Sequence, residues 1–114
     1  MGDERAILVT GAAGLIGRRV AELLIADGRA VVATDRIMPD DDAIEIEPAD
    51  LTDARALDVL VRRAVAGIIH CGAVSGPMLG RDDPAGTIAI NVQGTVTLLD
   101  CARRRGCGRF VFCS

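Results

Sequence analysis

The sequence predicts an α/β chain: a doubly wound parallel sheet of five strands in the order 3-2-1-4-5, with helices on both faces. Three observations carry this. Short β-branched runs alternate with longer stretches of helical period along the 114 residues, the pattern of parallel strands joined by crossover helices. The first of those runs is apolar throughout, as a strand covered on both faces requires. The core must also be aliphatic, because half of the residues are apolar (50%) while Trp and Tyr are absent and Phe occurs only 2 times. Right-handed crossovers then give the strand order, and a ligand crevice opens at the carboxyl ends of strands one and four, where that order reverses.

The elements follow in order. Ala6 to Thr10 is the first strand, and the helix after it places Ile16, Val20, Leu23 and Leu24 on one face before ending at Gly28. Ala30 to Thr34 is the second strand. Pro39 to Asp42 is a charged turn, and Ala43 to Glu47 alternates Ile44 and Ile46 with Glu45 and Glu47, as a half-exposed edge strand does. Thr52 is positioned to cap a helix that carries Leu57, Leu60, Val61 and Ala64 on one face. Gly67 to Cys71 is the fourth strand. Gly72 to Asp83 reads as a loop broken by Gly76, Pro77 and Gly80, and Pro84 opens a long helix that is expected to turn Ile88, Val92, Val96 and Leu99 inward. Gly106 and Gly108 end it, and Arg109 to Cys113 is the fifth strand.

Composition limits the function. One domain fits in this length and two separately packed cores do not. The net charge is -3, from 13 basic and 16 acidic residues, which gives no footprint for nucleic acid or an anionic membrane. Every basic residue is arginine. The opening Met1 to Arg5 is acidic and the apolar run after it is too short for a signal peptide or a membrane span, so a cytoplasmic protein is expected. The cysteines (Cys71, Cys101, Cys107 and Cys113) have no metal-ligand spacing and are expected to be reduced, mostly buried small hydrophobes.

The most informative segment is Thr10-Gly11-Ala12-Ala13-Gly14-Leu15-Ile16-Gly17, a G-x-x-G-x-x-G loop between a strand and a helix. Gly11 turns the chain off the strand, Gly14 lets backbone approach a pyrophosphate, and Gly17 lets the helix pack closely. Backbone N–H groups at the helix start can then meet phosphates. Asp35 ends the second strand about twenty residues later, where a carboxylate can accept both hydroxyls of an adenosine ribose. The adjacent Arg36 can stack on adenine or pair with the extra phosphate of NADP. Asp35 would repel that phosphate, which favours NAD.

Thr10 to Gly17, Asp35, Asp50-Leu51, Ile69-His70-Cys71-Gly72-Ala73, Asn91-Val92-Gln93-Gly94-Thr95 and Phe110-Val111-Phe112-Cys113-Ser114 resemble the successive motifs of the extended short-chain dehydrogenase/reductase family, of the NAD-dependent epimerase/dehydratase type. The resemblance implies a Rossmann domain that binds NAD, followed in the complete enzyme by a smaller substrate domain. It implies that Gly11, Ala13, Gly14, Leu15, Ile16 and Gly17 cradle the cofactor's phosphates, that Asp35 meets its ribose with Arg36 beside it, and that Asp50 and Leu51 flank the adenine. Cys71, Gly72 and Ala73 would pass beside the ribose and phosphates, Asn91 would order the site, and Ser114 would line the nicotinamide pocket. Ser75 and Met78 begin the loop that faces substrate. His70 matches a family histidine, read as a hydrogen-bonded core residue.

The family's mechanism uses a tyrosine as general acid or base and a lysine that lowers its pKa. This sequence contains neither, so no catalytic residue is assigned within it, and the hydroxyl that assists falls at or just beyond Ser114. Two readings stay open. In one, the chain is the nucleotide-binding front part of an epimerase, dehydratase or dehydrogenase acting on a sugar nucleotide or another hydroxyl-bearing small molecule. In the other, it is a non-catalytic nucleotide-binding or redox-sensing module. A homo-oligomer is compatible with both.

Overall fold

The computed structural model describes residues 6–41, 43–64, 66–75 and 80–113. Met1 to Arg5, Asp42, Gly76, Pro77, Met78 and Ser114 therefore lie outside the described residues. The strands are β1 (Ile7–Thr10), β2 (Val31–Asp35), β3 (Ile46–Pro48), β4 (Gly67–His70) and β5 (Phe110–Phe112). They form one parallel sheet in the order β3-β2-β1-β4-β5.

The central register explains the two cores. Leu8 lies beside Val32 and Ile68, and Val9 lies beside Ala33 and Ile69. Successive side chains on a strand point to opposite faces, so these two rows serve different layers. Leu8, Val32 and Ile68 pack with Leu57, Leu60 and Val61 of α2 (Ala54–Arg63) and with Leu98, Cys101 and Ala102 of α4 (Gly94–Arg105). Val9 and Ala33 pack with Ala21, Val20 and Leu24 of α1 (Leu15–Ala26), and with Ile44 and Ile46. The helix preceding α4 is α3 (Pro84–Ile88), and a π-helical turn, Ala89–Gln93, joins the two. Helical backbone at Ala89 and Gly94 makes 84–105 one continuous helix.

Three sequence expectations need correction. Thr52 does not cap α2. Its hydroxyl and N–H both donate to Asp50 Oδ1 at 2.8 Å, and Asp53 caps instead by accepting from the Ala56 N–H at 3.1 Å. In α1, Val20 and Leu24 face the sheet but Ile16 and Leu23 are exposed; the fully buried positions are Gly17 and Ala21. In the long helix Ile88, Val92, Val96 and Leu99 all point to solvent, while Gly94, Leu98, Cys101 and Ala102 are buried. Both helices lie too close to their neighbours for large side chains to occupy the whole contact face.

Charged contacts tie α2 to its neighbours. Asp58 of α2 accepts from Arg105 Nε at 3.1 Å and Arg105 Nη2 at 2.7 Å, which holds its carboxyl below the usual carboxylate range. Arg63 at the end of α2 reaches Glu47 of β3 at 2.6 Å. Among the described residues no helix is long and apolar enough to cross a membrane.

Candidate nucleotide-binding site

A cleft of about 750 Å3 opens at the carboxyl ends of β1, β2 and β4, where the strand order reverses. Its floor is the turn from β1 into α1. Gly11 has a φ of 67°, in the left-handed region that favours glycine. A Cβ there would come within 2.7 Å of the Cys71 carbonyl carbon and the Gly72 nitrogen, and a Cβ on Gly17 would overlap the Gly11 carbonyl oxygen. The glycines therefore bring the turn, β4 and α1 together.

Gly14 precedes α1 and offers no side chain to cap it. The first-turn N–H groups of a helix lack intrahelical partners, so those of Leu15 and Ile16 are placed to receive an anion, and the helix dipole favours one there. Asp35, at the end of β2, lines the cleft beside this turn. Its Oδ2 accepts the Ala13 N–H at 2.9 Å and its Oδ1 accepts the Ile37 N–H at 3.1 Å. A carboxylate has about four acceptor positions, so each oxygen keeps one for a ligand. Arg36, Asp50 and Leu51 extend this lining. Two hydrogen bonds from Thr52, with Arg36 nearby, lower the Asp50 pKa.

The wall from Cys71 to Ser75 is held from behind. Thr10 Oγ1 accepts the N–H groups of both Cys71 and Gly72 at 3.0 Å. With both lone pairs used, the Thr10 hydroxyl must donate its proton to His70 Nδ1, 2.6 Å away. On the other side of the ring, Thr95 Oγ1 donates to the Asn91 carbonyl at 2.8 Å, so it must accept from His70 Nε2 at 2.9 Å. His70 is consequently the neutral Nε2–H tautomer, buried with both nitrogens engaged, and burial lowers its pKa. Asn91 completes the support. Its Oδ1 accepts the Val74 N–H at 2.7 Å and its Nδ2 donates to the Val74 carbonyl at 2.8 Å.

Of the residues singled out from the sequence, Gly11, Ala13, Gly14, Leu15, Ile16, Gly17, Asp35, Arg36, Asp50, Leu51, Cys71, Gly72, Ala73 and Ser75 line the cleft. Asn91 does not; it stands behind the wall with both ends of its carboxamide on Val74. Met78 and Ser114 fall outside the described residues. Sequence reasoning missed Thr10 and Thr95 as supports. For Thr10 the signal was a hydroxyl ending a run buried on both faces, a position that must find hydrogen-bond partners; Thr95, in the first turn of α4, offered none. The cysteine expectation also needs correction: all four are free, but only Cys101 is buried, while Cys71 and Cys107 are half-buried and Cys113 is exposed.

The parallel sheet in this order, with a glycine turn into α1 and an acid ending β2, defines a Rossmann-type nucleotide-binding unit. The chain belongs to the NAD dependent epimerase/dehydratase family, whose profile matches residues 7–114. It is 34% identical over 117 residues to a UDP-glucose 4-epimerase of Mycolicibacterium smegmatis, covering 94% of this chain and 37% of that protein. A dTDP-glucose 4,6-dehydratase of Streptomyces antibioticus is 35% identical over 123 residues, covering 95% of this chain and 36% of that protein. Among solved structures, a short-chain dehydrogenase/reductase superfamily protein from Agrobacterium tumefaciens with bound NAD superposes with a TM-score of 0.83 at 36% identity, over 94% of this chain and 31% of the other. The chain spans little more than a third of the length of these curated relatives.

Proposed function

We propose that this chain forms the NAD-binding part of a cytoplasmic epimerase, dehydratase or dehydrogenase that acts on a sugar nucleotide or another hydroxyl-bearing small molecule. The observation that carries the reading is the fixed Asp35 carboxylate. It lines the same cleft as the uncapped start of α1, with one acceptor position left on each oxygen. Ribose hydroxyls would fill those positions. The N–H groups of Leu15 and Ile16 would meet the pyrophosphate, with Gly14 adding no side chain between them and the ligand. Asp50 and Leu51 would border the adenine, and Cys71, Gly72 and Ala73 the ribose and phosphates nearer the nicotinamide. Ser75 and Met78 would face the substrate, and Ser114 the nicotinamide.

When bound, NAD would accept a hydride from the substrate and, in a redox-neutral reaction, return it. The residues of this chain bind and orient. The proton-transferring tyrosine and its lysine are not among these 114 residues, and in this reading further sequence supplies both, together with a substrate domain.

Cofactor titration tests the reading. NADH should bind more tightly than NADPH, and Asp35→Ala should weaken NADH by roughly tenfold or more, the scale of a charged hydrogen bond, so that the gap narrows. Equal or tighter binding of NADPH by the unmutated protein would transfer the site's selectivity to Arg36 and NADP.

A further inference from the structure

Cys71 and Cys113 lie one register step beyond the His70 and Phe112 pair of β4 and β5, and their sulfurs are 3.3 Å apart. Hydrogen bonds hold both backbones. The Cys71 N–H donates to Thr10 Oγ1 at 3.0 Å, and the Cys113 N–H donates to the His70 carbonyl at 3.1 Å. A disulfide needs the sulfurs at about 2.05 Å, so a little over an ångström of approach separates the pair from a bond. The other cysteines are placed differently. Cys101 is buried with its sulfur on Arg104, and the Cys107 thiol points to the Arg109 carbonyl. Cys71 also lines the cleft, while Cys113 is exposed.

We propose that Cys71 and Cys113 form a reversible thiol modification site, which a low-molecular-weight disulfide converts to an intramolecular disulfide at the mouth of the cleft. The proposal does not depend on which nucleotide the cleft holds. Cys113, the exposed partner, reacts first: its thiolate attacks the small disulfide RSSR, a bond forms between Cys113 Sγ and one RS group, and the other leaves as RS−. Cys71 then loses its proton to solvent and attacks Cys113 Sγ. The mixed disulfide breaks, the second RS− leaves, and both RS− ions take up protons. Two protein thiols are oxidised by two electrons and one RSSR is reduced to two RSH.

Burial, and then the neighbouring Cys113, push the Cys71 thiol up to about 12, which makes it a poor first nucleophile because the thiolate is the attacking species. In the second step it attacks a sulfur already beside it, and the high effective concentration of a held partner compensates for a small thiolate fraction.

The test equilibrates the purified protein in mixtures of reduced and oxidised glutathione, blocks free thiols, and maps tryptic peptides. Cleavage at Arg63, Arg81, Arg103, Arg105 and Arg109 puts the four cysteines in separate peptides. The expected product links peptide 64–81 to the peptide beginning at Phe110, and excess reduced glutathione removes the link. Cys71→Ser should leave a glutathione adduct on Cys113. Cys113→Ser should leave Cys71 free at least tenfold longer than Cys113 survives in Cys71→Ser. A Cys113 adduct that persists unresolved in the unmutated protein would overturn the proposal. So would a link to Cys101 or Cys107, or two thiols still free after the treatment that modifies Cys71→Ser.

Discussion

Two helices cover the same face of the sheet and solve the problem differently. α2 turns large side chains inward, with Leu57, Leu60 and Val61 all buried. The helix over 84–105 buries Gly94, Leu98, Cys101 and Ala102 and leaves an apolar row, Ile88, Val92, Val96 and Leu99, in solvent. The difference is one of depth. A Cβ on Gly94 would stand 3.0 Å from both the Leu51 Cβ and the Leu51 carbonyl oxygen, so at that level the helix axis lies too close for anything but glycine. α1 repeats the rule on the opposite face, where Gly17 and Ala21 are the fully buried positions. Where a helix packs closely, its small residues mark the inward face.

The sharpest test of this contrast uses two adjacent leucines. Leu98→Ala empties a site with no exposed surface and should cost about 2–5 kcal/mol in denaturant unfolding, as should Leu57→Ala in α2. Leu99, 45% exposed, should change stability by less than about 0.5 kcal/mol when cut to alanine. Equal losses at Leu98 and Leu99 would mean that the outward row is covered, and the assigned orientation of the helix would be wrong.

Next in size is overpacking. Gly94→Val places a branched side chain against Leu51 and should destabilise by about 1–3 kcal/mol, despite the better helix propensity of valine over glycine. The same change at Gly108, where a Cβ meets nothing within 4 Å, should cost much less by the same measurement. A neutral Gly94→Val would show that the Leu51 turn gives way and that depth does not set the inward face.

This contrast also accounts for what the sequence disclosed. Strand order and the α2 face were legible, because aliphatic runs and a Leu57, Leu60, Val61 stripe have one inward solution. The cleft was legible too, since Gly11, Gly14, Gly17 and Asp35 are defined by spacing along one β-α-β unit, from the end of β1 through α1 to the end of β2. The face of the long helix was not, because apolar period alone weights Ile88 and Val92 above Gly94 and cannot register how close two backbones come. The supports behind the cleft were hidden for another reason. Thr10, His70 and Thr95 are far apart in sequence, and only the fold makes them one hydrogen-bonded chain.

That chain ties the long helix to β4 and the end of β1, and pH can attack it selectively. A protonated His70 would carry a proton on Nδ1, facing a Thr10 hydroxyl whose lone pairs already hold the Cys71 and Gly72 N–H groups. Burial lowers the folded pKa of His70 below its ordinary 6.5. Between those two values the unfolded chain binds a proton that the folded chain does not, so stability is full above pH 6.5 and falls as pH drops toward the folded pKa. The depressed carboxyls Glu47 and Asp58 begin from ordinary values of 4.5 and 3.8 and titrate lower still. A loss between pH 6.5 and about 4.5 is thus assigned to His70. Unfolding midpoints should fall across that window in the unmutated protein, and the fall should flatten in His70→Gln. An unchanged slope in the variant would remove His70 from the account.

The smallest contrast lies at the helix starts, which carry the same cap on different footings. Asp53 accepts from the Ala56 N–H at 3.1 Å and Asp83 accepts from the Gly86 N–H at 3.0 Å, so local chemistry alone predicts equal losses for Asp53→Ala and Asp83→Ala, about 0.5–2 kcal/mol each. Packing predicts otherwise. α2 enters the core within its first turns at Leu57, and a frayed start there exposes buried surface, so Asp53→Ala should lower global stability by about 1 kcal/mol. No residue of Pro84–Ile88 is buried, and Pro84 at the first position pre-sets its backbone for the helix. That turn can open by itself while α4 stays docked, because local segments with few buried contacts unfold below the global free energy. Asp83→Ala should therefore lower the global unfolding free energy by only a few tenths of a kcal/mol, yet speed amide hydrogen exchange at Thr87 and Ile88. Equal global losses at the two caps, with no local increase in exchange at Thr87, would mean that the first turn of the long helix is cooperative with the core.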